Sequence, residues 1–311
     1  MRFAILGSGA VGGYYGAKLA RAGHEVTFLA RGAHLRAIRE RGLLVWTPLG
    51  DFVVRAPAED DPARVGAVDV VVVAVKTYDN PAALAMLSPL VGPETAVLTL
   101  QNGVDGAERV AERIGEAHVL GGTTYVATAL RAPGLIVQTG THRRIVFGEA
   151  FGARDRVTPR VARIAEALAG ADVQVETVPD ARVPVWEKIA MLCPLAGLTA
   201  VTRQATGGVW SDRALRERLL GGVREVEAVA RAQGIAVRED LAASVVGYYE
   251  RLPPSMVPSM LHDLMQGKPI EVESLQGEVT RRGRALGVPT PIMAELYAQL
   301  VPHAAGPRTP G

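Results

Sequence analysis

A single cysteine, Cys193, stands among the 311 residues. No intrachain disulfide can form, and no cysteine cluster is available to hold a metal. Its neighbours Leu192, Pro194 and Leu195 suit an inert buried thiol better than a nucleophile. Long apolar runs are missing too: no stretch approaches the ~18 consecutive apolar residues of a membrane span. The apolar start of the chain breaks at Gly7, so a secretory signal is not supported and a cytoplasmic location is expected. The formal charge of only +2 is evenly spread, which argues against nucleic acid or an anionic membrane as partner. Lysine is scarce, with four residues (Lys18, Lys76, Lys188 and Lys268) against 30 arginines. A position that keeps lysine stands out in such a chain, because desolvated lysine can release a proton near neutral pH and arginine cannot. Apolar residues make up 48% of the sequence, and its length suffices for two domains with substantial cores.

The chain opens on the strand-length run Arg2-Phe3-Ala4-Ile5-Leu6, followed by Gly7-Ser8-Gly9-Ala10-Val11-Gly12 and an alanine-rich helical pattern reaching Ala22. A G-x-G-x-x-G spacing between a strand and a helix predicts a dinucleotide-binding turn. Gly7 allows the turn, Gly9 leaves room for a pyrophosphate, and Gly12 lets the helix approach the strand. Ser8, Ala10 and Val11 complete the loop that meets the phosphates at the helix N-terminus. Residues 25–30 read as the second strand. An NAD-binding unit usually places an acidic residue near its end, about 20 residues past the glycines, to hold the ribose hydroxyl. This chain has Arg31 instead, and a guanidinium suits a 2'-phosphate, so NADP(H) is expected over NAD(H). Arg36 and Arg39 read as a solvated basic helix face.

Residues 42–54 alternate around Pro48-Leu49-Gly50-Asp51 and predict a hairpin. The run 69–75 is continuous and β-branched, as in a strand buried on both faces, and ends at Lys76. Another such strand, 95–100, ends at Gln101-Asn102-Gly103, and a fifth spans 117–125. Helical stretches near 81–90 and 106–114 separate them. Strand carboxyl ends therefore fall at Gly7, Arg31, Lys76 and Asn102, where open α/β sheets bind ligands. This places Lys76 and Asn102 beside the cofactor. A further hairpin is expected at 135–147 around Gly140, then a helix at 158–169 and a closing strand at 172–178. From about residue 180 helical patterns dominate: 185–195, 211–232 with Ser211 as N-cap, 238–252, 255–266, 271–286 and 291–300. The predicted architecture is an α/β Rossmann-type doubly wound N-terminal domain, residues 1–179, and an all-α C-terminal domain, residues 180–311. The apolar helical domain is compatible with a homodimer, and the Pro/Gly-rich end from His303 is expected to fray.

Two stretches of the helical domain set polar residues in apolar surroundings. Pro184-Val185-Trp186-Glu187-Lys188-Ile189-Ala190-Met191-Leu192 carries Lys188, and Lys268-Pro269-Ile270-Glu271-Val272-Glu273-Ser274 carries Glu271. With them in view the chain resembles the ketopantoate reductase family. The resemblance rests on the glycine loop, the lysine after the third strand, Gln101-Asn102-Gly103, and Trp186-Glu187-Lys188 followed by an apolar helix. It continues through Pro258-Ser259-Met260-Leu261 with Asp263 beyond, and Ile270-Glu271, in that order over nearly the whole length. It implies a Rossmann domain joined to an all-helical one, with NADPH and a 2-keto acid between them. It further implies that Lys188 is the general acid, protonating the carbonyl oxygen as hydride arrives, and that Glu271 bonds the lysine or the cofactor ribose. Asn102 would lie near nicotinamide and substrate, Lys76 near the cofactor, the backbone at Ala127-Thr128 beside the nicotinamide, and Ser259 on the substrate carboxylate. A lysine suits the acid's role because a partly apolar cleft lowers its pKa toward working pH.

The chain also departs from the family. Members that reduce ketopantoate usually carry asparagines one and two turns after the lysine, where this chain has Leu192 and Ala196 on the helix face of Lys188. Thr206 and Met256 stand at two further amide positions. A wall without amides reads a substrate hydroxyl poorly. The expected function is NADPH-dependent reduction of a 2-keto acid to a 2-hydroxy acid, first of all 2-dehydropantoate (ketopantoate) to pantoate in pantothenate biosynthesis. The alternatives are a same-fold reductase of a more apolar carbonyl or imine, and a non-catalytic NADP-binding sensor. A sensor needs no proton donor, so Lys188 and Glu271 argue against the last.

Overall fold

The computed structural model describes residues 1–306. The chain forms two compact units, one of residues 1–101 and 106–181, the other of residues 102–105 together with the chain from Arg182. The frayed end expected beyond His303 lies, from residue 307, outside the described residues.

The first unit is built on twelve strands: β1 Arg2–Leu6, β2 Glu25–Leu29, β3 Leu43–Trp46, β4 Phe52–Val54, β5 Ala58–Glu59, β6 Val70–Val73, β7 Ala96–Thr99, β8 Val119–Tyr125, β9 Thr128–Ala132, β10 Leu135–Gln138, β11 Arg144–Glu149 and β12 Gln174–Asp180. Eight of them form one sheet in the order β12-β11-β8-β7-β6-β1-β2-β5. It is parallel from β8 to β5, and β11 pairs antiparallel with β8. The β-branched run of β6 lies between β1 and β7 with every residue buried, which is why it carries no polar alternation. The chain leaves β1 toward β2 on one side and returns to β6 on the other. The carboxyl ends of β1 and β6 therefore flank the switch point at which such sheets bind ligands.

A second sheet, in the order β4-β3-β10-β9, packs beside the first helix, Ala10–Arg21. The predicted hairpin at 42–54 is its β3/β4 pair. The hairpin expected at 135–147 does not form. β10 pairs instead with β9, through a turn at Gly134 (φ +77°), and runs parallel to β3, while β11 joins the main sheet. Packing decides this. Ile136 of β10 is fully buried against Gly13 of the first helix, and the Tyr14 hydroxyl donates to Gln138 Oε1 at 3.0 Å. Of the four lysines, Lys18 has a structural role: it is buried on the first helix and bonds Asp172 at 2.7 Å.

The second unit is helical: Arg182–Thr202, Thr206–Ser211, Arg213–Ala232, Leu241–Arg251, Ser259–Met265, Glu278–Leu286 and Pro291–Leu300. Asp212, not Ser211, caps the helix Arg213–Ala232, its carboxylate accepting from Leu215 N at 2.9 Å. Ser211 cannot do so because it ends the short helix before it. The helix expected at 271–286 opens instead with a π turn, Glu273–Gly277. The helix Arg182–Thr202 is long and apolar enough to cross a membrane by length and composition alone, yet 61% of that window is buried inside the protein. It forms the centre of the helical core, which explains its all-round apolar sequence. Residues 102–105, assigned by sequence to the first domain, pack with this unit. Val104 joins its core, and Gly103 (φ +108°) fits where a Cβ would come within 2.9 Å of the Ser274 carbonyl.

Candidate active site

In the first unit the three loop glycines do different work. A Cβ on Gly7 (φ +99°) would fall 2.6 Å from Val75, and one on Gly12 would fall 2.2 Å from the Gly7 carbonyl, whereas a Cβ on Gly9 would meet nothing within 4 Å among the described residues. Gly7 and Gly12 therefore serve close packing, and Gly9 opens onto free space. Gly9 is also the N-cap of the helix Ala10–Arg21, which no side chain caps. Open space at an uncapped helix N-terminus is what a pyrophosphate requires, so the loop fits a dinucleotide. Ser8 is committed elsewhere: its hydroxyl reaches the carbonyls of Ile5 and Leu29 at 3.2 and 3.0 Å, and its N–H donates to Leu29. It ties β1 to β2 instead of presenting a side chain to a ligand.

Arg31 sits at the end of β2 with its side chain 69% exposed, 3.7 Å from Asp79 Oδ1. Asp79 closes the short turn Thr77–Asp79 that Lys76 caps. Thr128 begins β9, and its buried hydroxyl oxygen has no hydrogen-bond partner among the described residues, leaving a polar group for a ligand. His34, which the sequence does not single out, braces the loop from below. Its Nδ1 accepts from Gly134 N at 3.0 Å, so the ring proton is on Nε2, which donates to the Ser8 carbonyl at 2.7 Å. Burial holds its pKa below the usual histidine value, with the Ser8 bond acting the other way. Protonation would turn Nδ1–H against the Gly134 N–H. The stabilisation is thus complete above the unfolded-state pKa of about 6.5 and is lost as pH falls through the lower folded-state pKa. Chemical denaturation at a series of pH values should show this decline in wild type and a flatter one in His34→Gln.

In the second unit, three segments far apart in sequence converge on Lys188. Its Nζ donates to Asn102 Oδ1 at 3.0 Å. Burial lowers its pKa to about 8, and the charge of Glu271 acts in the opposite sense. Glu271 is 6% exposed and stands just before the π turn, its carbonyl accepting from Leu275 N at 3.1 Å. A half-buried ammonium beside an amide and a carboxylate, with a pKa near working pH, is equipped to give up a proton.

Comparison with known proteins gives the family of the chain. The family model "Ketopantoate reductase PanE/ApbA" matches residues 3–152, and its C-terminal counterpart matches residues 180–303. The chain belongs to the ketopantoate reductase family. It is 32% identical to a 2-dehydropantoate 2-reductase of Nostoc sp. over 302 residues, covering 96% of this chain and 94% of the other. Among solved structures, a PanE/ApbA family ketopantoate reductase from Ralstonia eutropha JMP134 superposes with a TM-score of 0.89 at 34% identity, covering 98% of each chain. A 2-dehydropantoate 2-reductase from Geobacter metallireducens GS-15 gives 0.90 at 31%, covering 97% of this chain and 99% of that one. The Rossmann-like and helical halves of the family are those described above.

Within this reductase fold the remaining expected residues differ in setting. Leu192, one turn after Lys188, is half-buried, while Ala196, a turn further, is 2% exposed and belongs to the helical core. Only Leu192 keeps surface to offer a substrate. Ser259 is exposed as the first residue of the helix Ser259–Met265. Thr206 and Met256 pair with each other: Thr206 N and Oγ1 both donate to the Met256 carbonyl at 2.9 Å. Sequence reading missed this contact because it joins residues 50 positions apart.

Proposed function

We propose that the chain reduces 2-dehydropantoate to pantoate with NADPH, Lys188 serving as the general acid. The observation that carries this reading is Lys188 itself, bonded to Asn102 and balanced by Glu271, with burial bringing its pKa to about 8. NADPH, when bound, supplies a hydride to the keto carbon. Lys188 Nζ gives its proton to the keto oxygen, which becomes the hydroxyl, and regains one from solvent. Asn102 holds the ammonium in direction, and Glu271 keeps the protonated form populated against desolvation. Gly9 with the N–H groups of Ala10 and Val11 would take the pyrophosphate, Arg31 the 2'-phosphate, and Thr128 and Lys76 further polar groups of the cofactor. The exposed Ser259 hydroxyl would receive the substrate carboxylate. This reading is of a cytoplasmic enzyme for a small 2-keto acid, with no nucleic-acid or membrane partner; size-exclusion chromatography separates a monomer from a homodimer.

Leu192 favours a second reading, in which a same-fold reductase takes a 2-keto acid with an apolar side chain. Both are tested by following NADPH absorbance with 2-dehydropantoate and a panel of 2-keto acids lacking its hydroxyl. The highest kcat/KM on 2-dehydropantoate supports the first reading. A preference of about tenfold or more for apolar acids, the scale set by one missing polar contact, supports the second. No turnover on any of them would sink both.

A further inference from the structure

The helix that carries Lys188, Arg182–Thr202, has Pro194 in its interior. A proline inside a helix has no N–H to give the carbonyl four residues back, here that of Ala190, and pushes against it. Two buried side chains brace neighbouring carbonyls instead, those of Met191 and Cys193. The Tyr249 hydroxyl donates to Met191 O at 2.6 Å, and Gln276 Nε2 donates to Cys193 O at 2.7 Å. Tyr249 is 2% exposed and Gln276 0%.

The Gln276 contact is closely specified from both sides. A Cβ on Gly197 would lie 2.9 Å from Gln276 Nε2 and 2.8 Å from Leu296 Cδ1, so a side chain there would press on the amide where it meets the carbonyl. The other amide atom, Oε1, is buried with no hydrogen-bond partner among the described residues, a state that costs stability. An apolar side chain would avoid that cost, so the residue is matched to its donor bond. The π turn supplies the direction. Gly277 N bonds the Val272 carbonyl, five residues back, and Leu275 N bonds the Glu271 carbonyl. Such insertions are frequent where a helix re-aims a functional group. Gln276 lies five residues after Glu271, as Cys193 lies five after Lys188. One amide-to-carbonyl bond thus ties the Glu271 segment to the lysine helix about a turn and a half from both charged groups.

We propose that Gln276 is a positioning residue for the proton donor: its amide, held on the Cys193 carbonyl beside Gly197, braces the helix next to Pro194 and sets Lys188 against Asn102 and Glu271. Tyr249 supports the same turn from the other side. The proposal rests on reading Lys188 as the acid.

Gln276→Met keeps the length and removes the donor; Tyr249→Phe keeps the ring and removes the hydroxyl. Both variants, with Lys188→Ala as control, are measured by kinetics and by titrating 13C-labelled lysine side chains by NMR, where four lysines make the Lys188 signal assignable. In Gln276→Met, kcat for 2-dehydropantoate should fall about 10- to 100-fold, the scale of a small misplacement of a reacting group. The KM and the NADPH Kd should stay within about twofold of wild type, since no binding group is touched. The Lys188 titration should move from about 8 toward the ordinary 10.5 as water reaches the ammonium. Tyr249→Phe should shift both in the same direction and decides the matter if Gln276→Met does not fold. A lowered melting temperature with unchanged kcat and unchanged titration would make both side chains merely structural and overturn the proposal. Wild-type rates in Lys188→Ala would instead remove the lysine from the mechanism, a failure of the functional reading that the NMR titration keeps separate.

Discussion

Lys188→Ala should lower kcat for keto-acid reduction by about 10²–10⁴-fold, the contribution of a positioned general acid, while leaving the NADPH Kd unchanged. The reacting oxygen gains a negative charge as hydride reaches the carbon, and a proton must arrive in the same event. Lysine is fitted to supply it because burial has brought its pKa to about 8, from an ordinary 10.5. The ammonium is therefore still the main form at neutral pH but releases its proton easily. The sign of the pH dependence follows: the reduction needs the protonated form, so kcat should fall as pH rises through about 8. The reverse oxidation needs the neutral amine and should rise through the same range. Lys188→Arg should fail nearly as badly as alanine, since a guanidinium keeps its proton throughout this range. Rates near wild type in either variant would exclude this lysine as the donor.

Arg31→Ala should weaken NADPH by about 10- to 100-fold, the worth of a charged hydrogen bond, and change NADH affinity by less than about threefold. The distinction rests on the 2'-phosphate, which NADH lacks. Arg31 offers it an exposed guanidinium at the end of β2, and the nearest carboxylate, Asp79 at 3.7 Å, must share that guanidinium when a phosphate arrives. The competition places the effect toward the lower end of the range at physiological salt, where exposed charges are screened. Titration calorimetry with both nucleotides decides it. Equal losses for NADPH and NADH would mean that Arg31 does not read the phosphate.

Much of this was legible from spacing along the chain. The glycine loop, the buried run of β6, the arginine after β2 and the lysine in an apolar helix are local patterns, and each carries its chemistry in neighbouring residues. Where local pattern and structure differ, packing is the cause. Serine is a good cap and local pattern favours Ser211, but the chain spends it on the preceding helix and uses Asp212. Gly140 midway through residues 135–147 suggests one hairpin, but Ile136 and Gln138 are drawn to the first helix, and the two strands enter different sheets.

From residue order alone came the two-part architecture, the dinucleotide loop, the phosphate preference expected of Arg31 and the identity of the lysine to test. Only folding in three dimensions decided that Asn102 packs with the second unit and bonds Lys188, that Gly9 opens onto free space while the Ser8 hydroxyl is bonded to Ile5 and Leu29, that Ala196 is core while Leu192 keeps surface, and that Gln276 reaches the Cys193 carbonyl. The division has one physical cause. Backbone conformation and strand or helix periodicity are set within a few residues. The burial of a charge, and the side-chain donors that brace the helix around Pro194, depend on partners 58 to 86 positions away, which no local pattern encodes.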